Sequence, residues 1–103
     1  MDMHQQVEEI VQSINEIELK EPSDFVVVLL NDDHTPMEFV VHVLEDVFKH
    51  DRTNAVDITT KIHHDGEGVA GVYTFEIAEQ KGLETTVLAR SEGFPLKVRL
   101  DPK

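Results

Sequence analysis

The apolar run Phe25-Val-Val-Val-Leu-Leu30 constrains the fold of this 103-residue chain more than any other feature. A continuous apolar run that is rich in β-branched residues predicts a strand buried on both faces, in the centre of a sheet. Such a strand needs other strands beside it and helices packed against it, so the rest of the chain must supply both.

A strong helix signal follows this strand. Thr35 is a suitable N-cap, Pro36 suits the first helical position, and Glu38 completes a capping box. Apolar residues then recur on one helix face as far as Phe48. The segment therefore predicts an amphipathic helix that packs on the sheet.

Signals for two more helices and two more strands follow. Asp51 caps a second helix, which runs to about His64 and stops at Gly66. Residues 68–73 predict a second strand, in which Gly71 allows either close backbone approach or a bulge. The third helix is predicted to turn five apolar residues toward the core: Ile77, Ala78, Leu83, Val87 and Leu88.

The last strand is predicted at residues 95–100, where apolar residues alternate with other residues. The order is therefore β-α-α-β-α-β, an α+β fold in which a three-stranded sheet packs against three helices.

We expect residues 24–103 to form this domain and residues 1–23 to form an N-terminal extension. Helical spacing in the extension predicts a short helix that either docks on the domain or is offered to a partner; its apolar residues are Val7, Ile10, Val11, Ile14 and Ile17.

Charge and composition exclude several functions. Nine Lys and Arg against 21 Asp and Glu give a net charge of −12, and a chain this acidic is a poor match for nucleic acid or an anionic membrane surface. The absence of cysteine excludes disulfides, thiolate metal sites and cysteine catalysis, and it suits the reducing cytoplasm. We expect a cytoplasmic monomer without a cofactor, whose charge favours cationic ligands.

Polar side chains stand directly after the first strand. Asp32 and Asp33 are adjacent carboxylates that repel each other when ionised, and a bound cation relieves that repulsion. The alternative is an Asx-type turn, in which Asn31 and the two aspartates bind their own backbone. His63, near the end of the second helix, can accept one hydrogen bond as a neutral imidazole, or it is an ordinary surface histidine.

The sequence also allows two other functions. His42, Asp46 and His50 lie at i, i+4 and i+8, so we expect them to share one helix face, and this spacing suits a transition metal in a small regulatory protein. A solvated helix face explains the same pattern. An amidase or aminopeptidase-like enzyme that uses the carboxylates would need a nucleophile or a metal set, and no Gly-x-Ser-x-Gly motif occurs. The residues therefore favour binding over catalysis.

Three segments together resemble the ClpS family, the adaptors that deliver N-degron substrates to the Clp protease. They are Leu29-Leu-Asn-Asp-Asp-His-Thr-Pro-Met-Glu-Phe-Val40, Ile62-His63-His64-Asp-Gly66 and Gly71-Val-Tyr-Thr74. The resemblance implies the β-α-α-β-α-β fold and no enzymatic activity. It also implies binding of substrate proteins that begin with Phe, Tyr, Trp or Leu.

The resemblance assigns roles to individual residues. The substrate's α-amino group would be surrounded by Asn31, Asp32, Asp33 and His63. Thr35 would contact the substrate backbone, and Met37 would disfavour β-branched first residues. The side-chain pocket would be lined by Met37, Val40, Val43, Thr59 and Ile62. Position 59 usually carries a larger apolar residue in the family, so the preference among the four side chains is left open.

The resemblance also implies a second partner. Glu76 and Lys81 on the third helix would contact the N-terminal domain of the unfoldase ClpA or of a ClpA-like ATPase.

Overall fold

A computed structural model describes residues 3–10 and 24–103. Residues 3–10 are helical (α1) and exposed. Three residues of the helix predicted in the N-terminal extension, Val11, Ile14 and Ile17, lie outside the described residues. The remaining elements are β1 (Phe25–Leu30), α2 (Met37–Asp46), α3 (Arg52–Asp65), β2 (Glu67–Tyr73), α4 (Phe75–Ser91) and β3 (Lys97–Pro102). In the described ranges, no helix combines the length and apolar character that a membrane crossing requires.

The three strands form one antiparallel sheet in the order β2-β1-β3. The predicted α+β class, the element order and the central position of β1 are thus confirmed. The core lies between this sheet and the helices, and its largest fully buried side chains include Leu29, Leu44 and Leu96.

The two faces of β1 are buried by different means. Val27 and Leu29 belong to the core, whereas Val28 points to the opposite face, here called the outer face, and is still only 3% exposed. Arg99 on β3 pairs with Val28, and its guanidinium donates to both carboxylate oxygens of Glu67 on β2, at 3.2 and 2.9 Å. Because β1 lies between these two strands, the Arg99 side chain crosses β1 and covers Val28.

β2 contains the predicted bulge. The register with β1 shifts so that Ala70 is an extra residue without a partner. His50 Nε2 donates to the Ala70 carbonyl oxygen at 2.6 Å, which satisfies this bulged group. A Cβ at Gly71 would lie 2.5 Å from the Tyr73 hydroxyl oxygen, so Tyr73 packs where a side chain would otherwise stand.

The predicted capping box at the start of α2 is wrong. The N-cap is Pro36, and no side chain caps it. The Thr35 hydroxyl instead donates to the Asp32 carboxylate at 2.7 Å, and Glu38 forms an ion pair with Arg52 at 3.1 Å. The turn before the helix therefore uses the side chain that was expected to cap it.

The predicted inward face of α4 is wrong in part: Ala78 is buried and Leu88 packs against the core as expected, but the other three residues do not. Ile77, Leu83 and Val87 are exposed, Leu83 by 64%, and the buried positions are Ala78, Gly82, Thr85 and Ala89. A Cβ at Gly82 would meet Val98 at 3.4 Å, so the backbone of α4 lies close to β3. Small residues permit this approach, and Ile77, Leu83 and Val87 face outward.

Candidate functional site

The turn after β1, residues 31–35 (the acidic turn), is joined to the end of α3. The Asn31 backbone N–H donates to the Gly66 carbonyl oxygen at 2.9 Å. Gly66 is the left-handed C-cap of α3, with φ of 89°, and its own N–H donates to Ile62. His63 lies in the last turn of this helix. The fold therefore brings the acidic turn and His63 to the same corner of the domain.

Asp32 organises the acidic turn. One carboxylate oxygen accepts the backbone N–H groups of His34 at 2.8 Å and Thr35 at 2.7 Å, and the other accepts the Thr35 hydroxyl. Partial burial raises the pKa of this carboxyl, but the bonds from Thr35 and His34 more than offset that effect, so the pKa lies below its ordinary value. The Asx-type turn is therefore correct for Asp32, whose oxygens are already engaged.

Three other polar groups at this corner are unengaged. The side chains of Asn31, Asp33 and His63 are exposed and have no hydrogen-bond or ion-pair partner within residues 3–10 and 24–103. A free carboxylate, an amide oxygen and an imidazole nitrogen supply acceptors that match the three donors of an ammonium group. The corner is thus suited to a primary amine in its charged form.

The predicted apolar pocket residues lie where α2 packs against α3. Val40, Val43 and Ile62 belong to one buried cluster, and Thr59 is buried beside them on α3. Met37, the first residue of α2, is 45% exposed and stands two residues after the acidic turn. The set therefore has a buried floor and one flexible side chain at its rim, next to the polar corner.

The polar group of Thr59 is used inside its own helix. Its hydroxyl donates to the Ala55 carbonyl oxygen at 2.8 Å. The hydroxyl therefore has no free hydrogen for a ligand. Thr59 differs from a larger apolar residue at this position mainly by the smaller volume of its side chain.

A separate groove of about 330 Å³ adjoins the other side of the acidic turn. It is lined by Leu30, Asn31, Asp32, His34, Pro95 and Lys97. Leu30 pairs with Lys97 in the β1–β3 ladder, and it shares the outer face with Val28, away from the core. Sequence patterns do not reveal this groove, because only the strand register brings residues 95–97 next to the turn.

Comparison with known proteins identifies a family for this chain. A family model described as ATP-dependent Clp protease adaptor protein ClpS matches residues 20–99. The ATP-dependent Clp protease adapter protein ClpS of Deinococcus radiodurans is 46% identical over 92 residues, which cover 89% of this chain and 81% of that protein. This chain belongs to the ClpS family.

Other ClpS proteins extend the similarity. The adapter protein of Burkholderia mallei is 52% identical over 82 residues, covering 80% of this chain and 79% of that protein. The adapter protein of Shewanella pealeana is 42% identical over 101 residues, covering 98% of both. The solved structure of Agrobacterium tumefaciens ClpS2 bound to L-phenylalaninamide is 38% identical with a TM-score of 0.77, covering 81% of this chain and all of that one. As a ClpS, this chain is an adaptor of the Clp protease and not the protease itself.

The two residues predicted to contact the unfoldase differ in their surroundings. Lys81 is half-buried; its Nζ donates to the carbonyl oxygen of Val47 at the end of α2, at 2.7 Å, and lies 5.3 Å from the Tyr73 ring centroid. Lys81 thus joins α4 to α2. Glu76, in the first turn of α4, is exposed and has no partner in the described part of the chain. Contact with an unfoldase stays a prediction for both.

The geometry expected for a metal site is wrong. α2 ends at Asp46, and Lys49 has a positive φ of 60°, so His50 is off the helix and bonded to Ala70. His42 pairs with Asp46 at 3.0 Å. Within the described residues, no group of three or more His, Cys, Asp or Glu side chains could hold a metal ion.

Proposed function

We propose that this ClpS protein binds the free N-terminus of proteins that begin with Phe, Tyr, Trp or Leu and delivers them to a ClpA-type unfoldase. One observation carries the binding step. The bond from Asn31 to Gly66 holds the unengaged acceptors of the acidic turn beside α3 and His63, next to a buried apolar set with Met37 at its rim. L-Phenylalaninamide, the ligand of the related A. tumefaciens ClpS2, combines an amine with a benzyl group, and this site offers acceptors for one and apolar contacts for the other.

The amine is recognised by charge and by direction. A protein α-amino group has a pKa of about 7.7–8.0, so it is mostly cationic at neutral pH. Asp33 supplies the opposing charge, while the Asn31 amide oxygen and a His63 ring nitrogen accept the remaining hydrogens. Asp32 adds negative potential and fixes the turn. A hydrogen bond to a charged group contributes about 1.5–3 kcal/mol net.

Thr35 can act only as an acceptor toward a ligand. Its hydroxyl hydrogen is donated to Asp32, so its oxygen keeps lone pairs but no free hydrogen. The matching group on a bound chain is a backbone N–H, such as that of the substrate's second residue. This contact would hold the first peptide bond against the acidic turn.

The apolar side chain supplies the second half of the affinity. Burying one Phe or Leu side chain contributes about 1.5–3 kcal/mol. Together with the amine contacts, and after the cost of association, this is consistent with micromolar binding, about −8 kcal/mol. An internal Phe offers no ammonium and is rejected, because neither half is sufficient alone.

The delivery step rests on the family resemblance and on α4. Glu76 is the cleaner probe of an unfoldase contact, since changing Lys81 would also remove its bond to Val47. A Glu76→Lys variant should bind Phe-initiated peptides normally but should fail to increase their degradation by a ClpA-type unfoldase with its peptidase. Cytoplasmic location and a monomeric state remain predictions.

A titration tests the binding step. A fluorescent peptide that begins with Phe should bind with micromolar affinity, and its N-acetylated form should not bind, because acetylation removes the charge and two hydrogens. Asp33→Ala should weaken every such peptide by about 10- to 100-fold, from the loss of one charged hydrogen bond. Asp57→Ala removes the same charge from the exposed side of α3 and should change affinity less than twofold. Equal affinity for the free and acetylated peptides would refute the proposal.

A further inference from the structure

We infer that Arg52, the first residue of α3, is a positioning residue for Met37. It holds the first turn of α2, and with it the rim of the apolar site, and so contributes to the rejection of first residues branched at Cβ. This inference rests on the proposed function, because it assumes that the first side chain of the substrate enters between α2 and α3. It gives a role to a group of ion pairs that does not contact the ligand.

Arg52 bridges two carboxylates of α2. Its Nη2 atom donates to the two carboxylate oxygens of Glu38 at 3.1 and 3.4 Å, and its Nη1 atom donates to Glu45 at 3.2 Å. Glu38 lies in the first turn of α2, and Glu45 is the residue before its last. A single guanidinium on α3 therefore contacts both ends of a helix of 10 residues.

The start of α2 lacks the support that the start of α3 has. Its N-cap, Pro36, makes no side-chain hydrogen bond, and the hydroxyl of Thr35 donates to Asp32 instead. In α3, by contrast, the Asp51 carboxylate accepts the Asn54 N–H at 2.8 Å. The bridge thus runs from a capped helix start to one without a side-chain cap, so α3 is the anchor and the first turn of α2 is the part that it steadies.

The steadied turn carries the rim of the apolar site. Met37 directly precedes Glu38, is 45% exposed and has a flexible side chain. The other residues of the apolar set are buried and branched at Cβ, so their side chains have little freedom to adapt: Val40, Val43, Thr59 and Ile62. The position of the rim therefore depends on the backbone of this first turn, which Arg52 restrains through Glu38. Without the bridge the rim can move outward and admit a side chain branched at Cβ.

Arg99 offers a matched control. It also bridges two carboxylates, because Nη2 donates to Glu67 at 2.9 Å and Nε donates to Asp101 at 3.0 Å. These residues lie on the outer face of the sheet, away from α2 and α3. Arg99→Ala therefore removes the same charge and a similar bridge without touching the apolar site.

Two labelled peptides, which begin with Phe and Ile and are otherwise identical, test this inference. Each is titrated by fluorescence anisotropy against the full chain, Arg52→Ala, Arg52→Lys, Arg99→Ala, Met37→Ala and the double variant Met37→Ala/Arg52→Ala. The readout is the ratio of the affinity for the Phe peptide to that for the Ile peptide. A general loss of stability, or a change in net charge that acts on the α-amine, would alter both affinities together and leave this ratio unchanged.

The ratio should fall about threefold in Arg52→Ala, the effect of losing a favourable surface ion pair, and should stay within about 1.5-fold of the original in Arg99→Ala. Arg52→Lys should restore part of the ratio, because an ammonium keeps the charge but does not form the bidentate bridge. The double variant should match Met37→Ala alone, because Arg52 acts through Met37.

Two results would overturn the role of Arg52 and leave the proposed function intact. One is an unchanged ratio in Arg52→Ala with normal binding of the Phe peptide. The other is a further threefold fall from Met37→Ala to the double variant, which would show that Arg52 does not act through Met37. Failure of the Phe peptide to bind the unaltered chain would overturn both the inference and the proposed function.

Discussion

The backbone N–H of Asn31 donates to the carbonyl oxygen of Gly66 at 2.9 Å and joins the end of β1 to the C-cap of α3. The unengaged polar groups of the candidate site come from both segments, so this bond sets their relative position. Gly66 can serve here because its φ of 89° is in the left-handed region, where residues with a Cβ are strained.

Gly66→Ala should therefore lower both stability and affinity. A Cβ at this position meets nothing within 4 Å, so the cost is the left-handed backbone, about 1 kcal/mol of unfolding free energy. Gly93→Ala is the matched control, since Gly93 has φ of 79° and equally open surroundings after α4. Both variants should lose similar stability in denaturant titrations, but only Gly66→Ala should bind a Phe-initiated peptide more weakly. Equal affinity in the two variants would show that Gly66 does not support the binding site.

The sequence predicted most of the features that depend on neighbouring residues, apart from the capping box of α2, where Thr35 bonds to Asp32 instead. The run Phe25–Leu30, the Asp51 cap, which accepts the Asn54 N–H, and the bulge near Gly71 are all confirmed. Each is determined by local propensity or by a residue's own backbone freedom.

Contacts between distant segments decided the features that were missed. α4 turns Ala78 and Gly82 inward because the sheet lies close to it. Helical periodicity alone does not show which face of this helix packs against the sheet. The groove at Lys97 depends on the register of β1 with β3. The acidic residues of the candidate site were predicted from their adjacency and their position directly after the first strand, but their division into one organising aspartate and one free aspartate required the hydrogen bonds of Asp32.

Met37→Ala should widen the range of accepted first residues. Met37 stands half-exposed at the rim of the apolar set, and its removal would leave room for a side chain branched at Cβ. Peptides that begin with Ile or Val should gain affinity, whereas a Phe-initiated peptide should change little. Met3→Ala makes the same substitution at an exposed position of α1 and should leave the profile unaltered. An unchanged profile in Met37→Ala would remove this residue from the specificity determinants.

Asp32 should contribute a pH-dependent part of the stability. Its folded pKa lies below the ordinary value because the turn binds the charged form, so its contribution is fully present above the ordinary pKa of about 3.9 and is lost as pH falls through the lower folded pKa. Asp32→Asn should reduce the unfolding free energy at pH 7 and flatten its decline below about pH 4. Asp33→Asn, which removes a carboxylate without a partner in the described residues, should keep the slope of the original chain. Parallel curves for Asp32→Asn and the original chain would contradict the role assigned to the turn.

The most direct measurement is a crystal structure of this chain with a peptide that begins with Phe. We predict that the terminal nitrogen lies within hydrogen-bond distance, about 3 Å, of Asp33, Asn31 and His63, with the phenyl ring between α2 and α3 behind Met37. A complex in which this nitrogen points into solvent, or in which the ring lies elsewhere, would contradict it.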